Sequence, residues 1–326
     1  MFEYFKSTDQ QIDILKSRGL IINDEKRAKE VLLRYNYYKI INATLPFFTE
    51  KSKNGKFKYR EGTDFLDLYE VHHFDKELKK ILLSQMLEIE RIARSIISYK
   101  FTEKYPKKNS YLNVDNYNKQ DKSFALITID SIKETIEKYR EEDNYNKSIN
   151  YYLNKYGFVP FWFIINFLSF GRVVNIYEIL DYKLKEDIAD EFQKFVEENL
   201  SLNMREFLTP SMLESFLRSA KDIRNIAAHD NLILGHRFED VEYFQSIHSK
   251  YGIRKNDKRT KLFDSMVILQ ALIPQAYFKN ITNEIELLVK DLKSRIDARA
   301  FELIMDAIGY RKEVDWWDLC IWQTCI

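Results

Sequence analysis

The chain has 326 residues, 45% hydrophobic and 15% aromatic, which suffices for one large core or two ordinary ones. Its 51 Lys and Arg against 50 Asp and Glu leave a net charge of +1, excluding a uniformly basic surface but not a local basic cluster. Two cysteines, Cys320 and Cys325, exclude a disulfide scaffold and a zinc quartet and fit a reducing cytoplasm, while 8 Gly and 5 Pro point to long helices with few tight turns.

The start, Met-Phe-Glu-Tyr-Phe-Lys, lacks the apolar run of a signal peptide, and the apolar stretch Phe158 to Leu168 is too short to span a bilayer. Ser7-Thr8-Asp9 reads as a helix start and Gly19 as its stop. Asn23-Asp24-Glu25 opens a second helix, with Ala28, Val31, Leu32 and Tyr35 on one face. Residues 42–62 read as a loop, the seam between an N-terminal helical lobe (1–58) and the main helical domain (59–310). Thr63-Asp64 caps a long helical region reaching about Glu103, with a break expected near His72-His73-Phe74-Asp75. Residues 104–122 read as a loop, Ser123 to Arg140 as a helix and 141–150 as a solvated connector. Pro160 precedes an aromatic-rich helix to Leu180, within which Gly171 permits close packing; Lys183 to Glu197 is amphipathic. Thr209-Pro210 starts a helix towards His229, and helices follow at about 263–279 and 282–308. Trp316, Trp317 and Trp322 make 311–326 an aromatic tail expected to dock on the body or at an interface.

Chemistry concentrates at Arg224, Asn225 and His229. Histidine, with an unperturbed pKa of about 6.5, donates or accepts a proton near neutrality. Arginine binds phosphate with a planar fork. RNA carries its own nucleophile, the 2′-OH, so an RNA-cutting site built this way needs no metal and no cofactor, and the sequence offers no convincing metal cluster. On a helix Asn225 and His229 share a face, and the amide is placed to orient the imidazole. Arg224 and His229, five apart, lie roughly 140° around the axis. A joint site therefore requires that the helix end near Ala228, or that two chains place their motifs face to face. The plain alternative is that Arg224 pairs with Asp222 or Glu214 and His229 merely caps the helix. His236 and Arg237 are weaker additions to a phosphate site. Lys250, Arg254, Lys255, Lys258 and Arg259, beside Tyr251, form a candidate RNA-binding loop or a solvated one. Glu90 reads as a surface partner of Arg94, or as an acid near the motif arginine. His72 and His73 diverge on a helix and suit packing better than metal binding.

The string Arg224-Asn225-Ile-Ala-Ala228-His229 resembles the Arg-Asn-x-x-Ala-His signature of the abortive-infection Abi-like proteins, AbiD/AbiF type, within the HEPN superfamily of helical ribonucleases. Arg18-Gly19-Leu20, Leu33-x-x-Asn36-Tyr37-Tyr38, Phe57 to Phe65, Phe74-Asp75-x-x-Leu78, Ile89-Glu90-Arg91 and Pro160-Phe-Trp162 to Tyr177 resemble further blocks in order. A carboxylate often stands in that pattern where this chain has Asn166. The resemblance implies an all-α, HEPN-like bundle and a metal-independent endoribonuclease of anti-phage defence. It implies catalytic Arg224 and His229 supported by Asn225, a homodimer, and in some members restraint by a small RNA antitoxin. The alternative is an RNA-binding protein that grips RNA without cutting it.

Overall fold

A computed structural model describes residues 5–51, 57–141, 147–200 and 206–310 of the chain. The N-terminal helices are α1 (Thr8–Ser17), α2 (Glu25–Tyr35) and α3 (Ala43–Phe48), the last preceded by a π-helical turn over Tyr38–Asn42. Ser7 caps α1 in a reciprocal capping box with Gln10, and Asp24 caps α2 through Arg27 N. Strands β1 (Thr49–Lys51) and β2 (Phe57–Tyr59) then pair antiparallel, Thr49 opposite Tyr59. Among its described residues, the segment 42–62 thus carries a helix and two strands rather than a loop. Its apolar Phe47, Phe48 and Tyr59 are buried, and burying their backbone requires that its N–H and C=O groups be paired.

The central element is α4 (Phe65–Lys104), 40 residues or roughly 60 Å long. Asp64 opens it with a second capping box to Asp67. No break occurs at His72–Asp75. Leu68, Val71, Phe74, Asp75, Leu78, Lys79, Leu82, Met86 and Ile89 are all buried, so one stripe continues through the polar patch. Then come α5 (Lys122–Glu141), α6 (Lys147–Tyr156), α7 (Phe161–Ile164), α8 (Phe170–Ile179), α9 (Tyr182–Leu200) and α10 (Pro210–Ala228). The stretch 161–180 is two helices rather than one. A 3-10 turn at Ile165–Phe167 and extended Leu168 separate them, and Ser169 caps α8 through Arg172 N. Gly171 sits in the first turn of α8, where an added Cβ would meet Lys221 Cδ at 3.9 Å, an ordinary contact. No close approach requires this glycine.

The remaining helices are α11 (Gln245–His248), α12 (Leu262–Val267), α13 (Gln275–Arg295) and α14 (Ala298–Ile308). The fold is all-α, with one two-stranded sheet among the described residues. α4 packs chiefly on α10 and α13, and also on α9, α8 and α7. One hydrophobic core runs from Ile12 to Ile308. No described helix is long and apolar enough to cross a membrane. The tail 311–326, with its tryptophans and both cysteines, lies outside the described residues.

Candidate active site at the end of the motif helix

Thr209 caps α10 through Met212 N (3.2 Å), with Pro210 in the first turn, and Leu213, Phe216, Leu217, Ala220 and Ile223 bury one stripe. The helix ends at Ala228 with His229 at the C-cap. Asp230 N–H donates to Ala227 O (3.3 Å) and Asn231 N–H to Ile226 O (3.0 Å), the paired closure of a Schellman end. Asp230 takes the left-handed position (φ 52°) where glycine is usual.

The choice of aspartate there has a visible cause. Its carboxylate receives Lys39 Nζ and, at 2.7 Å, Lys79 Nζ. Lys79 also pairs with Asp75 (2.8 Å) and donates to Asn231 O (3.2 Å). Asp75 Oδ1 in turn accepts Ile233 N–H (3.0 Å) and Leu234 N–H (3.2 Å). Asp75 and Lys79 are both buried. Burial would raise the Asp230 carboxyl, but hydrogen bonds from Lys39 and Lys79 outweigh it and hold it below the usual range. Burial would lower Lys79, and its two carboxylate partners hold it above the ordinary value instead. This ionic clamp fixes the backbone on which His229 stands. The motif did not point to it. The signal was an i, i+4 charged pair placed on the apolar stripe of α4, where charge is costly unless paired.

Arg224 leaves α10 on the side facing α4. Its Nε lies 3.5 Å from Glu90 Oε2, and its Nη1 is 3.5 Å from Asn225 Oδ1. Glu90 is not a surface partner. It is 2% exposed, and it also takes Arg94 Nη2 at 2.5 Å, which donates further to Leu168 O at 2.6 Å. Two guanidiniums thus share one buried carboxylate, leaving one formal positive charge over. Burial lowers the Arg94 guanidinium below its ordinary value; Arg224 adds to this and Glu90 opposes it. The partners expected of a purely structural Arg224 are occupied elsewhere: Asp222 with Lys221, and Glu214 with Lys185 and Arg218.

His229 is exposed, and its ring makes no hydrogen bond among the described residues. The Asn225 amide is directed to Arg224, not to the imidazole; what Asn225 gives His229 is a backbone carbonyl for its N–H (3.0 Å). Among the described residues, no hydrogen bond joins the Arg224 side chain to His229 within one chain. His236 and Arg237 lie on the exposed loop that follows, His236 edge-on to Phe238.

The basic loop divides. Arg254, Lys255 and Lys258 are exposed and Lys250 is half-buried. Arg259 is not a free cation: it is 7% exposed, with Nε donating to Val241 O (2.5 Å) and Nη1 to the carbonyls of Lys255 and Asp257. Tyr251 is 1% exposed and cannot stack on a base. A guanidinium that closes its own loop serves the fold. Lys255 also borders a cleft that includes Glu214, Glu239, Asp240 and Glu242.

His72 packs against Tyr35 (ring centroids 5.2 Å), beside Asp75, Lys76, Lys79 and Asp230, and its Nε2 is buried without a partner among the described residues. Burial holds its imidazole below the ordinary value. With a depressed folded pKa, its contribution is intact above about pH 6.5 and is lost as pH falls towards the folded value. We expect the melting temperature to fall between pH 7 and 5, and His72→Phe to flatten that slope. An unchanged slope would assign it to other groups. Among the described residues, no three His, Cys, Asp or Glu side chains cluster to hold a metal.

Fold and site together define an all-α protein in which a long central helix and a motif helix share one buried carboxylate. The family described as Abi-like protein matches residues 30–234, and the chain belongs to it. The match spans α4, α10 and the whole Arg224–His229 segment, and membership links the chain to abortive infection. No curated protein and no solved structure matches the chain.

Proposed function

We propose that the chain is a metal-independent endoribonuclease, HEPN-like in its chemistry, acting as a toxin-like effector of abortive infection in the cytoplasm. The observation that carries this is the excess positive charge at Arg224–Glu90–Arg94 on the same helix as an exposed histidine at its clamped end. Arg224 binds the scissile phosphate, positioned by Glu90 and Asn225. The 2′-oxygen attacks phosphorus and loses its proton to a general base. The P–O5′ bond breaks, and the departing oxygen takes a proton from a general acid. The products are a 2′,3′-cyclic phosphate and a 5′-OH, so no oxidant or metal enters the balance.

His229 suits one of these proton transfers, and solvent serves the other. Since Arg224 faces α4 while His229 stands at the helix end, the reading places two motifs face to face in a homodimer. RNA is then the substrate, and a small RNA antitoxin is one form its restraint would take. Arg254, Lys255 and Lys258, with Lys250 at their edge, are the cations left to touch phosphates outside the site. Reversing Lys255 and Lys258 is expected to shallow the salt dependence of RNA binding by up to about two in log–log slope. An unchanged slope removes the loop from the interface.

Expression in a bacterial host tests the whole reading. Toxicity with cyclic-phosphate RNA ends, both lost in His229→Ala, is expected. Intact RNA copurifying with both proteins would instead identify an RNA binder that does not cut.

A further inference from the structure

Between α4 and the segment 161–167 lies a cleft of about 690 Å³, a size typical of small-ligand sites. Its floor is the stripe Arg94, Ser98 and Thr102, four residues apart and so on one helix face, roughly 12 Å from end to end. Tyr99 and Trp162 border it, 64% and 50% exposed. Trp162 is held edge-on by Tyr152 and Phe163, so its ring is fixed while half its surface stays open. Asn166 donates Nδ2 to Trp162 O (2.9 Å) and Phe163 O (3.2 Å), which leaves Oδ1 as an acceptor. Thr102 Oγ1 and Arg94 Nε are buried and unpaired among the described residues.

These groups form an amphipathic slot: open aromatic faces, neutral donors and acceptors, and a guanidinium at one end. That guanidinium, Arg94, is the same one that shares Glu90 with Arg224. The slot therefore starts where a bound phosphate would sit. The acid at its border is Glu103, at the far end; Arg91 also borders it and is paired with Glu88. A flat, uncharged heterocycle tethered to a phosphate fits this arrangement.

We propose that the cleft binds an unpaired nucleobase of single-stranded RNA next to the phosphate at Arg224. The base stacks on Trp162, with Tyr99 beside it and its polar edge towards Ser98, Thr102 and Asn166. This rests on the ribonuclease reading and adds to it a subsite that selects unpaired substrate.

The test uses the full chain carrying His229→Ala, a short labelled single-stranded oligouridylate, and an abasic chain of the same length. Trp162→Ala or Tyr99→Ala should weaken the oligouridylate roughly 5- to 100-fold, the usual worth of one base–aromatic stack, and leave the abasic chain unchanged. Trp162→Phe should recover part of the loss, and unchanged melting temperatures show that the variants fold. Equal affinities for the oligouridylate across all variants would overturn the proposal. So would a parallel loss for both probes with dimers becoming monomers in sedimentation, which would make the cleft a chain–chain contact. Cleavage by the chain with His229 intact judges the nuclease reading separately. Oligouridylate held in the cleft but never cut sinks that reading alone, and cutting indifferent to Trp162 sinks this one alone.

Discussion

His229→Ala should lower RNA cleavage by roughly 10²- to 10⁴-fold, the usual contribution of a positioned proton-transfer group. Its melting temperature should scarcely move, because the ring is exposed and makes no hydrogen bond among the described residues. Arg224→Lys should also be poorly active, since a point-like ammonium cannot reproduce a guanidinium that faces Glu90 with one edge and offers its fork to phosphate with the other. The shared-site geometry adds a stricter expectation. In a mixed dimer of Arg224→Ala and His229→Ala chains, one of the two composite sites keeps an arginine from one chain and a histidine from the other. Mixing two inactive proteins should therefore restore cleavage. Single-turnover assays on the separate and mixed variants decide this; a mixture as inactive as its components would confine the site to one chain.

The largest stability effect is expected at Asp75. Its buried carboxylate pairs with Lys79 and accepts two backbone N–H groups, from Ile233 and Leu234. Asp75→Ala leaves those donors unsatisfied and takes one anion from Lys79, a loss of about 3–5 kcal/mol. This corresponds to a fall of roughly 4–7 °C in Tm. Asp75→Leu combined with Lys79→Met should recover only part of it. Replacing a buried pair by apolar groups can be near neutral, but here the two N–H groups still lose their acceptor. Thermal melts of the single and double variants measure this directly. A single variant within about 1 kcal/mol of the parent would show that the clamp is not what holds the loop after His229.

What the residues disclosed, and what they did not, follows from range. Helix α10 could be read because its signals are local: Thr209-Pro210 to start it, a 3–4 spaced apolar stripe, and an end near Ala228, one of the two arrangements left open by the Arg224–His229 spacing. Polar residues in α4 at 72–75 suggested a break, yet Asp75 and Lys79 are satisfied by the loop at 230–234, more than 150 positions away, and the helix runs through. A pattern confined to neighbouring residues has no access to such a partner. Glu90 admitted two readings, a surface i, i+4 partner of Arg94 or an acid near the motif arginine; it does pair with Arg94, but only the packing of α4 on α10 buries it and brings it to Arg224. In the basic run 250–261, Arg259 departs for the opposite reason. Composition counts Arg259 as a surface cation, but its guanidinium closes its own loop. At 42–62, sparse periodicity hid two short strands and a helix carrying Pro46.

The central claim, that Arg224 and His229 form a metal-free RNA-cutting centre, is tested most directly by incubating the purified full chain with single-stranded RNA in excess chelator. The account predicts fragments ending in 2′,3′-cyclic phosphate, formed at the same rate with and without chelator and lost in His229→Ala. Cleavage that requires Mg²⁺, or that persists unchanged in His229→Ala, would contradict it.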